Sequence, residues 1–192
     1  MVTTDQVKQL RDKTGISVMQ CKKALEEADG DMEKALTLLR KKSSAVAEKK
    51  SQRELGAGTI AAYVHSSGNV AAMIALSCET DFVARNENFK KLAYDIAMQV
   101  TAMNPEYVER GEVSKEKIDS IKQALTHEVE GKPENLKDKI LDGKADAYLK
   151  ERILLEQAFI KDSEVTIADL INTAMQKFGE RIAVAEMKRV SI

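Results

Sequence analysis

An acid beside an aromatic is the pairing in this chain that could act on another molecule. Thr80-Asp81-Phe82-Val83 follows the apolar run Val70-Ala71-Ala72-Met73-Ile74-Ala75-Leu76-Ser77-Cys78 and precedes a regular amphipathic stretch. A side chain held where a strand ends and a helix begins is carried on rigid supports and reaches a partner in a fixed pose. The chemistry open to it is recognition: the ring and the carboxylate can be presented together to a partner. No covalent bond is involved. The competing reading makes Phe82 an ordinary core residue, because aromatics usually sit inside.

Covalent and metal chemistry find little support elsewhere. Cys21 and Cys78 are far apart, each within an apolar pattern, and read as buried thiols used as small hydrophobes. His65 and His127 stand without a second ligand type at metal spacing, so no metal site is expected. There is no Gly-rich phosphate loop, Ser/His/Asp set or nucleophile elbow. The acidic residues are scattered over the solvent faces of helices. The chain is therefore expected to have no catalytic residues, to need no cofactor and not to be an enzyme.

The elements that must position the Asp-Phe pair come from patterning. With 192 residues, 32% of them charged and a net charge of −1, the chain gives no global reason to expect nucleic acid or an anionic membrane as partner. No apolar run approaches the roughly 20 residues that span a bilayer. Residues 1–5 lack the features of a signal peptide, which points to the cytosol. Residues 1–40 read as three short helices. Thr3 with Gln6 and Ser17 with Gln20 form capping boxes, Gly15 and Gly30 act as stops, and Asp31 caps the third helix. Residues 41–55 read as a polar, basic connector, helical only at its start. A nucleic-acid stripe is the alternative there, but no aromatic interleaves with the charges to stack on bases.

Residues 56–192 read as an α+β domain. Strands are expected over 58–65 and 70–78 around a turn at 66–69, and a third over 181–190. Helices are expected over 89–103, from 114 to 131, in pieces at 136–141 and 145–152, and from a Thr166 cap to a Gly179 stop. Helices covering one face of a small antiparallel sheet give that fold class.

A second motif joins the first. Leu10-Arg11-Asp12-Lys13-Thr14-Gly15 continues through Met19-Gln20-Cys21-Lys22-Lys23-Ala24-Leu25 to Glu27-Ala28-Asp29-Gly30-Asp31. Helix caps, glycine stops and a core cysteine explain most of it without any function. They do not explain why Arg11, Met19, Lys22 and Lys23 lie near the first interhelical turn, where they can form one mixed apolar and basic patch. This run resembles the opening of the elongation factor Ts family, and Thr-Asp-Phe-Val-Ala after a Cys-containing strand resembles that family's signature. Gly131-Lys132-Pro133 and Gln157-Ala158-Phe159-Ile160 look like the family's as well. The first three helices resemble the ubiquitin-associated type of module, a likeness of fold that says little about ubiquitin itself.

The resemblance implies a guanine-nucleotide exchange factor that binds the GDP form of elongation factor Tu, disturbs its Mg²⁺ and phosphate site, and releases GDP. It puts the displacing role on Thr80, Asp81, Phe82 and Val83, and a contributory contact on Arg11, Met19 and Lys22. The hairpin and return strand occur once, as in the family's short form, whose members supply a second half through a homodimer. A three-stranded sheet also leaves edges that want a partner or a cover. Two other readings stay open: a helical adaptor acting through residues 1–40, and a nucleic-acid chaperone acting through the basic connector.

Overall fold

In the computed structural model, which describes residues 2–129, 131 and 133–192, the helix caps read from sequence are made. The Thr3 hydroxyl accepts from the Gln6 N–H, and the Gln6 side chain accepts from the Thr3 N–H, opening α1 (Thr4–Thr14). Gly15 closes it at φ 68°, a left-handed conformation that costs glycine little. Ser17 caps α2 (Val18–Glu27) by accepting from the Gln20 N–H, without the return bond from the Gln20 side chain that the expected capping box requires, and Asp31 caps α3 (Met32–Lys50). Val7, Leu10, Ile16, Cys21, Leu25, Leu36 and Leu39 make a closed core among these helices.

The expected connector is helical for most of its length. α3 runs unbroken for 19 residues to Lys50, so the charged half beyond Arg40 continues the helix begun at Met32. What holds it is α8 (Ile167–Phe178), capped by Thr166 and stopped by Gly179. Ser43 is buried there, its hydroxyl donating to the Leu39 carbonyl at 3.0 Å and contacting the Gln176 side chain. Ala47 packs against the main core nearby. Small side chains let the two helices approach closely and leave little apolar signal in the sequence.

The hairpin forms as read. β1 (Ala57–Val64) pairs antiparallel with β2 (Val70–Cys78) from Ala57 opposite Cys78 to Val64 opposite Ala71. Gly58 is required by close approach, since a Cβ there would stand 2.6 Å from the Leu76 carbonyl oxygen. β5 (Ile182–Ser191) is the third strand, giving the order β1-β2-β5 with a register shift at Ala75/Leu76. Ala72, Ile74, Leu76, Cys78, Ile182 and Val184 face inward under α5 (Glu87–Met103) and α8. The helices cover that face alone. On the other, Ile60, Val64, Met73 and Val190 are exposed.

The helical region between α5 and α8 differs from its reading in three places. The helix expected from 114 onward is α6 (Lys115–Ala124) followed by a separate 3₁₀ turn, Thr126–Val129. The two expected pieces are one helix, α7 (Glu134–Lys150). Lys132 of the Gly131-Lys132-Pro133 motif lies outside the described residues. A short hairpin, β3 (Ala158–Phe159) with β4 (Asp162–Thr166), occupies a stretch not read as strand. It is tied to α5 by the buried Gln99, whose amide donates to Gln157 Oε1 and the Ala158 carbonyl and accepts from the Ile160 N–H. Among the described residues the molecule is α+β, with eight α-helices, a three-stranded sheet and this hairpin. None of the helices described is long and apolar enough to cross a membrane.

Candidate functional site

β2 ends at Cys78, and three residues later the chain enters the one-turn helix α4 (Asp81–Ala84). Four residues cannot hold a helix by their own hydrogen bonds, because nucleation is unfavourable. The turn is fixed from outside. Val83 and Ala84 belong to the main core, at 3% and 8% exposure. Asn86 then caps α5, accepting from the Asn88 N–H at 2.9 Å.

This anchoring turns Phe82 outward. It is 81% exposed, while Phe89, in the first turn of the next helix, is fully buried edge-on against Phe178. A buried Phe side chain gains roughly 1.5–3 kcal/mol over an exposed one, so its exposure forgoes a stabilisation the fold could otherwise use. Asp81 is exposed beside it and paired at 2.9 Å with Arg85. The geometry presents an aromatic face and a carboxylate at the end of a rigid strand.

The four residues singled out here divide. Asp81 and Phe82 face solvent, Thr80 stands at the entry to the turn, and Val83 is buried beneath it. Cys78 lies below: its thiol donates to the Thr80 carbonyl at 3.2 Å, and burial pushes its pKa up, helped by the Glu180 carboxylate. Burial likewise raises the Cys21 thiol. Both cysteines are structural, since the thiolate is the reactive form.

Residues absent from the sequence reading complete the base of the tip. The Thr80 N–H and hydroxyl both donate to Glu180, at 3.0 and 2.5 Å. Glu79 accepts from the Arg181 N–H at 2.5 Å and from the Arg53 guanidinium at 3.2 Å. These two donors, the Arg181 N–H first, hold the Glu79 carboxyl below its ordinary value. The Arg181 guanidinium donates to the Arg53 carbonyl, and Lys50 Nζ to the Gly179 carbonyl, each at 2.5 Å. Three distant pieces of chain therefore meet under Phe82. Their separation, 100 residues between Thr80 and Glu180, removes any local sequence signal.

The N-terminal candidates are all exposed. Met19 is 80% exposed in the first turn of α2, with Val18 beside it at 53%. Lys22 follows Met19 by three residues and shares its helix face, lying 3.7 Å from Glu26. Arg11 is in the last turn of α1.

The model of the family described as Elongation factor TS matches residues 5–192. Elongation factor Ts of Syntrophomonas wolfei is 44% identical over all of this chain and 91% of its own length. The Thermotoga petrophila protein of that name is 46% identical over all of this chain and 96% of its own. For the Heliobacterium modesticaldum protein of that name the figures are 45%, all of this chain and 90%.

Proposed function

This chain belongs to the elongation factor Ts family of translation elongation factors, and on that premise we propose that it is a guanine-nucleotide exchange factor for elongation factor Tu. The observation that carries the proposal is the outward Phe82 on a turn anchored from below. In this reading it acts by binding, not as an enzyme, and works in the cytoplasm beside its GTPase.

A P-loop GTPase holds GDP through backbone amides, a lysine and a Mg²⁺ bridging protein and phosphate. Mg²⁺ demands near-ideal octahedral geometry, so a small displacement of its surroundings weakens it. Phe82 enters between elements of the nucleotide domain, and Asp81 redirects polar groups beside it. Val83 works from below, fixing the turn against the core, and Thr80 sets where the turn starts. Loss of the Mg²⁺ shell loosens the phosphates, and GDP leaves. By linkage, GDP weakens the factor's binding as much as the factor weakens GDP's. The test is release of a fluorescent GDP analogue from elongation factor Tu on adding this chain. Release no faster than the spontaneous rate would end this reading.

Arg11, Met19 and Lys22 supply affinity at a second contact on the same GTPase. Combining Arg11→Glu with Lys22→Glu is expected to raise the half-saturating concentration of factor roughly tenfold, because contact charges act on encounter and anchoring. The maximal release rate should stay as it was. A lowered maximum at unchanged half-saturation would show that the patch takes part in displacement.

The bare sheet face supports a two-fold homodimer. Ile60, Ala62, Val64, Ala71, Met73 and Ala75 point outward on β1 and β2, and β5 adds Val190 together with the ion-paired Glu186 and Lys188. At ~3.4 Å per residue and ~4.8 Å between strands this face covers roughly 400 Å² in plan. The apolar part, over β1 and β2, is about two thirds of that, rimmed by the charges of β5, and the largest apolar patch on a surface is often functional. Its small residues would let two sheets pack closely. Light scattering at micromolar concentration should give the mass of two chains, and one chain for Ile60→Glu with Met73→Glu. A single-chain mass for the wild type would refute the dimer.

A further inference from the structure

We propose that Glu180 is a positioning residue for the exchange tip: by accepting both donors of Thr80, its carboxylate fixes the turn that carries Phe82 in the pose that enters the GTPase. The proposal deepens the exchange reading and rests on it.

Thr80 occupies the N-cap position of α4, yet its side chain makes no capping bond to the turn it begins. Its hydroxyl points away, to one Glu180 oxygen at 2.5 Å, while its N–H reaches the other at 3.0 Å. Two bonds to a charged acceptor are stronger and more directional than neutral ones. They fix both the position and the rotation of the residue from which the turn springs. Phe82 has little of its own to hold it, being 81% exposed. Val83 and Ala84 fix the far end of the turn in the core; at the near end the Cys78 thiol holds the Thr80 carbonyl, and Glu180 holds its N–H and hydroxyl.

Glu180 is itself well held. Gly179 ends α8 in the left-handed conformation at φ 75° and turns the chain back toward the end of β2. The Gly179 carbonyl accepts from Lys50, and Arg181, on the other side of Glu180, is bonded through its N–H to Glu79 and through its guanidinium to the Arg53 carbonyl. The acceptor is thus mounted on a turn anchored by the end of α3 and by the last residue before Thr80. A pair near the surface contributes little to stability. Its effect on a contact that works by displacement is larger, because misplacement of about 1 Å can cost up to two orders of magnitude in rate.

Release of the fluorescent GDP analogue from elongation factor Tu tests this with Glu180→Ala, Glu180→Gln, Thr80→Val and Phe82→Ala, each checked for thermal melting. Glu180→Ala is expected to lower the maximal release rate about tenfold with little change in the half-saturating concentration. Thr80→Val should move it the same way, and Glu180→Gln, which keeps an acceptor, should recover most of the rate. In the Phe82→Ala background, Glu180→Ala should have no further effect. The chain has no tryptophan, so Phe82→Trp adds one reporter, whose nanosecond anisotropy should show wider local motion once Glu180→Ala is added. An unchanged maximal rate in folded Glu180→Ala, with wild type active, overturns the role of Glu180 alone. So does an equal loss on top of Phe82→Ala. A wild-type chain that leaves GDP release unchanged overturns the exchange reading and this proposal with it.

Discussion

Phe82→Ala should lower the maximal rate of GDP release by roughly two orders of magnitude, as expected for loss of an aromatic hot spot. Melting should shift by no more than about 2 °C, because surface substitutions usually change stability by less than about 0.5 kcal/mol. The asymmetry follows from exposure. At 81% exposed the ring contributes little packing to this chain, so removing it leaves almost no cavity. The partner loses the whole of the ring's burial, together with the displacement that the ring forces. Stopped-flow release at saturating factor, set beside calorimetric melting, measures both halves. A steep fall in melting temperature with release per folded molecule preserved would mean that the ring serves the fold.

The opposite outcome is expected seven residues later. Phe89→Ala should destabilise the chain by about 3–5 kcal/mol, the usual cost of truncating a buried phenylalanine. For a chain of this length that is a drop of roughly 10–15 °C in melting temperature. Phe89 has no exposed surface, meets Phe178 edge-on at 6.2 Å, and starts the stripe Phe89, Ala93, Ile96, Val100 on which α5 packs. Release per folded molecule at a permissive temperature should survive, since nothing of Phe89 reaches the surface. Denaturant melts separate the cases: a change below about 1 kcal/mol would mean that the cavity collapses or that the helix re-seats.

Where local chemistry decides the structure, the sequence was readable. Thr3, Ser17, Asp31 and Thr166 cap the helices they were expected to cap, because each carries an oxygen within reach of an N–H two or three residues on. β2 was legible because its residues form a short continuous apolar run bounded by a turn, although only every second one faces the helices. The second half of α3 was not. It packs on α8 through Ser43 and Ala47, so the buried side has no large apolar residue to mark a period. α7 was split at Gly143, which costs a helix only about 1 kcal/mol, while Ala145 and Leu149 secure it against Ile121. The β3–β4 hairpin was hidden because β3 has two residues and β4 opens with Asp162-Ser163-Glu164, a loop-like composition. At the tip, the acid–aromatic pair and its strand-to-helix setting could be read directly. Glu180, Arg181 and Arg53 could not, because folding alone brings them to Thr80 and Glu79.

The continuity of α3 makes the number of its residues matter as much as their identity. Leu39 belongs to the N-terminal core and Ser43 to the seam with α8, one helical turn apart on a single rod. One residue added between them would rotate everything before it by ~100° and advance it by ~1.5 Å relative to everything after. Arg11, Met19 and Lys22 would swing to another azimuth, while Phe82, on the far side of the seam, stayed where it was. The rod therefore acts as a phase gauge. Its charged surface can drift in sequence, but its length over this stretch is as fixed as the teeth between two meshed gears.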